Sequence, residues 1–376
     1  MILKTKEFKD VADKILLAIK VDKAATNLEL LTKGTTLRLS ITNKEFYCAV
    51  LYQLESEEEF HATVDADKFL SLVSKLTTET FKIEIKDTAI VISSNKSSYK
   101  IPMIYEDNGK LMSIAPITIL NKTVEMNIKK DILDSILNVN SREIQKVKGL
   151  KNVDIKDIQE LYYIDETGCF TFTTGACLNA FELEKPVKLL LNERIVKLFR
   201  LFKEDVHFSL GQDQAGNGAL RTKISLETAT VYLSAIITND ELLLSKVQGP
   251  CAATKRFINE AYPHHLVLSV QELRDAISRL LLFIDDPTNT AFVPMTIKFD
   301  IDSLQIINGK HGSESITVED GSFVDEDYEM AINIIDLKTV LDSCKEEHIT
   351  VNCGNHKSVV ISRGLISNLI PEAKRN

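Results

Sequence analysis

The chain has 376 residues, more than one compact core of ordinary size can use, so two or three domains are expected. An apolar content of 44% with 26% charged residues is that of a soluble globular protein. The net charge of −9 speaks against a protein that grips nucleic acid over its whole surface, because phosphate binding needs Lys and Arg; only a local gathering of basic residues would allow it.

In chain order the elements form strand, helix, strand, strand modules. A strand at Ile2–Lys4 leads to Thr5 as N-cap, and Phe8, Val11, Ile15 and Leu16 then share one helical face. In VDADKFLSLVSKL the stripe is Phe69, Leu72, Val73 and Leu76, followed by a hairpin around Lys86–Asp87–Thr88 with period-2 alternation. VEMNIKKDILDSIL turns Ile132, Leu133 and Ile136 inward. VKLLLNERIVKLFRLFKEDVHFSLGQ places Asn192 as cap of a helix to Lys203, with Ile195, Val196, Phe199 and Phe202 inward. LVLSVQELRDAISRLLLFID uses Ser269 as cap and Leu273, Ile277 and Leu280 as stripe. YEMAINIIDLKTVLDSCKEEHITVNCG closes the series with Leu337, Val340 and Leu341. Alternating strands such as TTLRLSITN, CFTFTTG, ATVYLSAIIT and MTIKFDI fill the intervals.

Helix starts recur every 60 to 80 residues or so, and two modules per unit make three units. The joints fall near 110–122 and 240–263, where Asp107–Asn108–Gly109 with Pro116, and Gly249–Pro250, act as breakers. The expected domains are 1–117, 118–248 and 249–376, each an α+β unit of two helices packed on antiparallel sheets.

Common catalytic and metal patterns are absent. There is no GxGxxG, Walker GxxxxGK[ST], GxSxG or HExxH. Cys48, Cys169, Cys177, Cys251, Cys344 and Cys353 form no CxxC and sit mostly in apolar runs, so they read as reduced core residues. His264 and His265 are adjacent on a strand, point to opposite faces and cannot share a metal. No metal site and no cofactor are expected. The most apolar runs, such as Leu280 to Ile284, are too short to cross a bilayer, and MILKTKEFKD lacks the parts of a signal peptide. The expected location is the cytoplasm, without membrane contact.

Three segments carry a family resemblance. Thr173–Thr174–Gly175–Ala176–Cys177–Leu178 is similar to T-D-G-H-R-L-A, Lys255–Arg256–Phe257–Ile258 to R-R-V-L, and Asn368–Leu369–Ile370–Pro371–Glu372 to V-V-M-P-M. With the sixfold module these resemble the bacterial β sliding clamp, the processivity subunit of replicative DNA polymerase, over essentially the whole chain. The resemblance implies three similar clamp-type domains forming half of a ring, no catalytic activity, and a pocket between the second and third domains for short linear motifs of DNA polymerase and clamp-loader subunits. Carried over by position, that pocket takes Thr173, Gly175, Ala176, Cys177, Leu178, Arg256, Phe257, Leu369, Ile370 and Pro371. Ala176 and Cys177 replace the family's His–Arg, Glu372 stands where an apolar residue is usual, and the R-P-I-L-type segments are missing. Such departures suit a divergent member, for instance one encoded by a phage or plasmid and working in the host cytoplasm at the nucleoid.

A sliding ring must surround duplex DNA without gripping it, so basic residues should line its hole. Lys4, Lys6, Lys9, Lys14 and Lys20 stand against Glu7, Asp10 and Asp13 in the first helix region. Arg194, Lys197, Arg200 and Lys203 stand against Glu193 alone, and Arg142, Lys146, Lys148 and Lys151 against Glu143. The expected contacts to double-stranded DNA are therefore Lys6, Lys9, Lys14, Lys20, Arg142, Lys146, Lys148, Arg194, Lys197 and Arg200. Phosphate contacts carry no base information, so binding would be sequence-independent. The acidic runs Glu55–Glu59 and Val318–Glu329 read as outer loops. Three units are half of six, so the resemblance implies a head-to-tail homodimer, with Leu281, Leu282 and Phe283 at the contact. Two other readings remain at this stage: a clamp-derived decoy that binds polymerase motifs without encircling DNA, and a metal-dependent enzyme using carboxylates such as Asp285–Asp286, for which a turn role is the ordinary explanation.

Overall fold

The structure is a computed structural model that describes residues 1–138, 161–172, 176–214, 219–239, 241–284 and 292–373. Twenty-five strands and seven α-helices are found among them. The first stretch holds β1 (Ile2–Lys4), α1 (Thr5–Val21), β2 (Asn27–Lys33), β3 (Thr36–Thr42), β4 (Phe46–Gln53), β5 (His61–Asp65), α2 (Ala66–Lys75), β6 (Thr80–Lys86), β7 (Ala89–Ser94) and β8 (Ser97–Pro102). The middle stretch holds β9 (Lys122–Ile128), α3 (Lys130–Asn138), β10 (Leu161–Asp165), β11 (Gly168–Phe172), β12 (Ala176–Ala180), β13 (Lys188–Asn192), α4 (Glu193–Leu198), β14 (Val206–Gln214), β15 (Leu220–Glu227) and β16 (Val231–Ile237). After α5 (Glu241–Asn259) come β17 (His264–Ser269), α6 (Val270–Leu280), β18 (Pro294–Phe299), β19 (Ser303–Asn308), β20 (Gly312–Thr317), β21 (Phe323–Val324), β22 (Tyr328–Asn333), α7 (Ile334–Ser343), β23 (His348–Cys353), β24 (Ser358–Arg363) and β25 (Ile366–Pro371).

The strand order repeats three times. The first stretch gives the quartets β1-β6-β7-β8 and β5-β2-β3-β4. The second gives β9-β14-β15-β16 and β13-β10-β11-β12, and the third β17-β23-β24-β25 and β22-β18-β19-β20. Each quartet is antiparallel, and each stretch supplies the same two quartets, with one helix after the first of their eight strands and one before the sixth. The α+β class with a triplicated arrangement is what the helical stripes lead one to expect.

The quartets do not stay separate. β4 pairs with β16, in register Cys48↔Leu233, so two quartets fuse into an eight-stranded sheet. β12 pairs with β25, in register Leu178↔Ser367, so two more fuse and, with β21 on β17, give nine strands. This fusion explains why the chain resolves into two compact units: Met1–Leu133 with Arg194–Thr238, and Asp134–Glu193 with Asn239–Asn376. The middle stretch contributes one quartet to each.

In the first unit α1 lies beside α2, burying Phe8, Val11, Ala12, Ile15, Ala18 and Ile19. Phe8 is fully buried, with Tyr52, Phe69 and Phe81 edge-on around it at 5.4, 6.2 and 5.5 Å. Thr5 is not the cap that its sequence position implies: the helix begins at Thr5, and Lys4 at the cap position makes no side-chain bond. The Thr5 N–H donates to the Glu79 carbonyl at 2.9 Å, continuing the pairing of β1 with β6, so the chain passes from strand into helix at Thr5 itself. In α2, Asp65 caps by accepting from the Lys68 N–H, and Leu70 rather than Leu72 completes the buried stripe. The hairpin after it turns at Asp87–Thr88, with Asp87 at φ 53°.

α4 is shorter than expected, ending at Leu198, and one 3₁₀ turn covers Phe199–Leu201. Phe199, Leu201 and Phe202 are all buried, which a straight α-helix with a single apolar face cannot achieve. The joint near 110–122 is packed rather than loose. Ile114 and Ile117 lie with Tyr47 and Ala49 of β4 and Tyr232 of β16, over the seam where the two quartets join. Asp213 accepts from the backbone N–H groups of Leu120 and Asn121, each at 3.1 Å, and from Lys223 at 2.9 Å. A side chain at Gly211 would meet the Asn121 carbonyl at 2.2 Å, so the approach of this segment to β14 requires glycine.

In the second unit α6 lies beside α7 over a core that includes Leu273, Ile277, Leu280, Leu337, Val340, Leu341 and Ile370. Ser269 caps α6, accepting from Glu272 N–H, and Arg274 donates to the C-terminal carbonyls of α7 at Leu341 and, at 2.8 Å, Cys344. The joint near 240–263, read from its Gly249–Pro250 pair as broken chain, is instead the helix α5, nineteen residues long with Pro250 inside it. Its spacing of Leu243/Leu244, Val247, Cys251, Thr254 and Ile258 is helical, and burial of that stripe outweighs the proline.

Candidate functional site

The described residues expected to contact DNA come from α1, α4 and the turn after it, and α1 lies against that turn. Phe8, Val11, Ile15, Ala18 and Ile19 take the inner side of α1, which leaves Lys6 and Lys20 exposed and Lys9 and Lys14 half-buried. Asp10 and Asp13 are exposed on the same outer side, so it carries mixed charge with a modest basic excess. Lys14 lies close enough to the buried Cys48 thiol to oppose its rise, but burial still pushes that thiol up to about 12. Lys4 pairs with Glu55 at 3.0 Å and Glu7 at 3.6 Å, so its charge is locally answered.

Arg194 is also answered: its guanidinium lies 2.9 Å from Asp22 and 3.1 Å from Glu45. The Asp22 carboxyl is held below the usual carboxylate range, first by the Ala24 N–H, then by Asn43 and Arg194, against the opposing effect of burial. Arg200 is exposed and Lys197 half-buried. Arg194 of α4 thus clamps the end of α1, while Arg200 on the 3₁₀ turn offers charge to solvent. Arg142, Lys146 and Lys148 lie outside the described residues, as do Thr173, Gly175 and Asp285–Asp286.

The remaining pocket residues are all in the second unit, but they do not share one surface. Ala176 and Leu178 on β12 and Leu369 on β25 belong to one apolar layer with Tyr163, Phe170, Phe172 and Leu190. Ile370, the next residue on β25, points to the other side of the sheet and is 3% exposed in the core under α6 and α7. Cys177 likewise alternates away from Ala176 and Leu178. The Ala176–Leu178–Leu369 layer is covered by α5 through Val247 and Cys251, with Leu243, Leu244 and Ile258 at the margins. Lys255 fastens the far half of α5, 3.0 Å from Asp165 and 5.1 Å above the Phe170 ring. Burial, then the nearby Asp165 charge, pushes the Cys251 thiol up to about 12.

Arg256 is two-thirds exposed at the end of α5, over the Phe257 ring at 5.0 Å, and Phe257 meets His356 at 4.3 Å. Glu260 answers both Arg256 and His356. Pro371 is half-buried.

Leu281–Phe283 forms a 3₁₀ turn after α6. Leu282 and Phe283 are 79% and 56% exposed, while Leu281 packs on the core. Asn308 of β19 holds this turn by donating to the Leu280 and Phe283 carbonyls, and Arg279 binds Glu314 of β20 at 2.7–2.8 Å. The two exposed apolar residues therefore sit near β20, which among the described residues has no strand on its outer side; β8 is the corresponding edge in the first unit.

All six cysteines are buried. His264 is buried and stacks on Tyr328 at 5.0 Å, whereas His265 stacks on Phe323 at 5.4 Å and meets Asn352; the two face opposite ways. Among the described residues no three His, Cys, Asp or Glu side chains are placed to hold a metal. No helix there is long and apolar enough to cross a membrane.

No protein-family model and no curated protein matches the sequence. Solved structures do match. The DNA polymerase III subunit beta of Pseudomonas aeruginosa is similar at a TM-score of 0.74 and 14% identity, over 100% of this chain and 99% of that one. A putative DNA polymerase III beta subunit from Eubacterium rectale gives 0.75 at 16% identity, over 100% and 99%. The Helicobacter pylori beta clamp bound to a DNA ligase peptide gives 0.73 at 14% identity, over 100% and 99%.

Proposed function

We infer that this chain, which has the fold of the bacterial β sliding clamps, is a DNA sliding clamp: a non-catalytic processivity factor that closes around duplex DNA as a head-to-tail dimer and tethers a polymerase. One observation carries the reading. Within the chain, the fourth strand of one quartet pairs twice with the fourth strand of another, as β4 with β16 and β12 with β25. The two fourth strands left over are β8 and β20. Pairing β20 of one copy with β8 of a second repeats the same join, and two such joins close a ring of two chains. Leu282 and Phe283, exposed near β20, would supply the apolar part of that contact.

The domain division 1–117, 118–248 and 249–376 belongs to the same reading, with one strand-order repeat in each. Lys6, Lys9, Lys14, Lys20, Lys197 and Arg200 would face the duplex, with Arg142, Lys146 and Lys148 added from 139–160. Arg194 would act mainly by fixing α1 to α4. Contacts limited to phosphate make the attraction salt-sensitive and blind to sequence, which suits a ring that slides. The polymerase and clamp-loader motifs would dock on the layer built from Ala176, Leu178 and Leu369; the DNA ligase peptide on the Helicobacter pylori clamp is a precedent for peptide binding by this fold. Cytoplasmic work at the nucleoid follows from that role.

The deciding experiment loads the protein on nicked circular DNA and on the same DNA linearised. Retention on the circle with rapid loss from the linear form is expected. Equal loss from both would leave a peptide-binding decoy and refute the clamp.

A further inference from the structure

The layer assigned to partner peptides is already occupied. Val247 and Cys251 of α5 are buried against Ala176, Leu178 and their neighbours. The two halves of α5 are buried unequally. In Glu241–Gln248 only Val247 is fully buried, Leu243 and Leu244 are half-buried, and Leu242 is 65% exposed. In Cys251–Asn259 both Cys251 and Thr254 are buried, Lys255 is paired with Asp165, and the Phe257 carbonyl accepts from Tyr262 at 2.7 Å. Between the halves stand Gly249 and Pro250. Pro250 has no N–H to give the carbonyl one turn back, and Gly249 has open space around it and the weakest helix propensity after proline. The helix is thus weakest where its burial changes.

We propose that Glu241–Gln248 is a displaceable occupant of the β12–β25 layer, hinged at Gly249–Pro250, and that a partner's apolar peptide binds by competing with this segment of the chain itself. The proposal rests on the reading of that layer as the partner site. A tethered segment acts at an effective concentration on the order of millimolar, so a free peptide at micromolar concentration wins only if it binds more tightly or if the tethered segment is weakened. Val247 and Leu244 fill the positions that a partner's apolar side chains would take. The clamp would therefore sit closed to weak ligands and open to peptides whose anchors bind better than a valine and a leucine.

The test uses the full chain and a fluorescein-labelled synthetic peptide of its own Glu241–Asn259 sequence. Amide hydrogen exchange should be at least tenfold faster in Glu241–Gln248 than in Cys251–Ile258. Val247→Asp should bind the labelled peptide at least tenfold more tightly than the wild-type chain. If Val247→Asp loses its circular dichroism signal, Leu244→Asp, at a half-buried position, serves instead. Gly249→Ala combined with Pro250→Ala should slow exchange in the first half and weaken peptide binding. Exchange of both halves together, at the rate of the whole unit, would overturn the proposal, as would equal peptide affinity in the wild type and every folded variant. Retention on circular DNA is scored separately, so a failed clamp and a failed hinge are told apart.

Discussion

Replacing Phe8 with alanine should unfold one compact unit ahead of the other. Phe8 is fully buried, with three aromatic rings packed edge-on around it. Truncating such a side chain costs about 4 kcal/mol through reduced burial and the cavity left behind. For a unit of about 180 residues, each kcal/mol shifts the melting temperature by about 2–4 °C, so the first unit should melt about 8–16 °C earlier. Because β4 and β16 are adjacent strands of one sheet, Phe46–Gln53 and Val231–Ile237 should lose exchange protection together, although nearly half the chain separates them. Leu161–Asp165 and Ile366–Pro371 should keep theirs. Hydrogen exchange with mass spectrometry across a urea series reads all four segments at once. Should Val231–Ile237 follow Leu161–Asp165 instead, cooperativity would run by repeat rather than by sheet, and the division into two units would be wrong as a statement about folding.

Four further outcomes are expected. In the same urea series Cys48 should become reactive to iodoacetamide before Cys169, Cys251 and Cys353, since burial raises every one of these thiols and only Cys48 lies in the first unit; mass spectrometry of the labelled sites checks the order. Arg194→Gln should cost up to about 1 kcal/mol at neutral pH, the arginine being half exposed. Asp22 is held low in the fold, so its contribution is present above the ordinary carboxylate range and is lost as pH falls through its lowered value; wild-type and Arg194→Gln melting temperatures, measured from pH 7 to 2, should converge at the acid end. Lys197→Gln with Arg200→Gln should lower the slope of log affinity against log salt by about 1 for each phosphate that is no longer neutralised, whereas Arg194→Gln should leave the slope nearly unchanged; filter binding at several salt concentrations would show it. If the chain dimerises as proposed, Leu282→Glu with Phe283→Glu should leave it monomeric in sedimentation velocity while keeping the melting temperature within about 2 °C, because both side chains are largely exposed.

Local features were readable from sequence because their physics is local. The stripes of the six modules are buried nearly as spaced, Ser269 caps its helix, and the turn falls at Asp87–Thr88. What escaped depends on partners far along the chain. Thr5 is already helical, because β1, paired with β6, runs straight into α1, and the joint at 110–122 takes its order from Asp213, some ninety residues away. α5 was hidden behind Gly249–Pro250, although its apolar spacing was present; what made it a helix is the sheet face it covers. The pocket residues were assigned by likeness of short segments, and alternation along β25 then sends Leu369 and Ile370 to opposite sides, a consequence of strand geometry that a motif does not express.

The join of β4 to β16 also governs how the chain is made. When Phe46–Gln53 leaves the ribosome, the strand that will flank it lies about 180 residues downstream, some 10–40 s away at ordinary elongation speeds. Throughout that wait the nascent protein carries an open row of peptide groups beside Cys48 and Val50, a template for pairing with a neighbouring nascent chain on the same polysome. Swapping between chains during translation is the hazard built into this architecture, and conditions that slow synthesis of the middle third should raise the yield of misassembled protein.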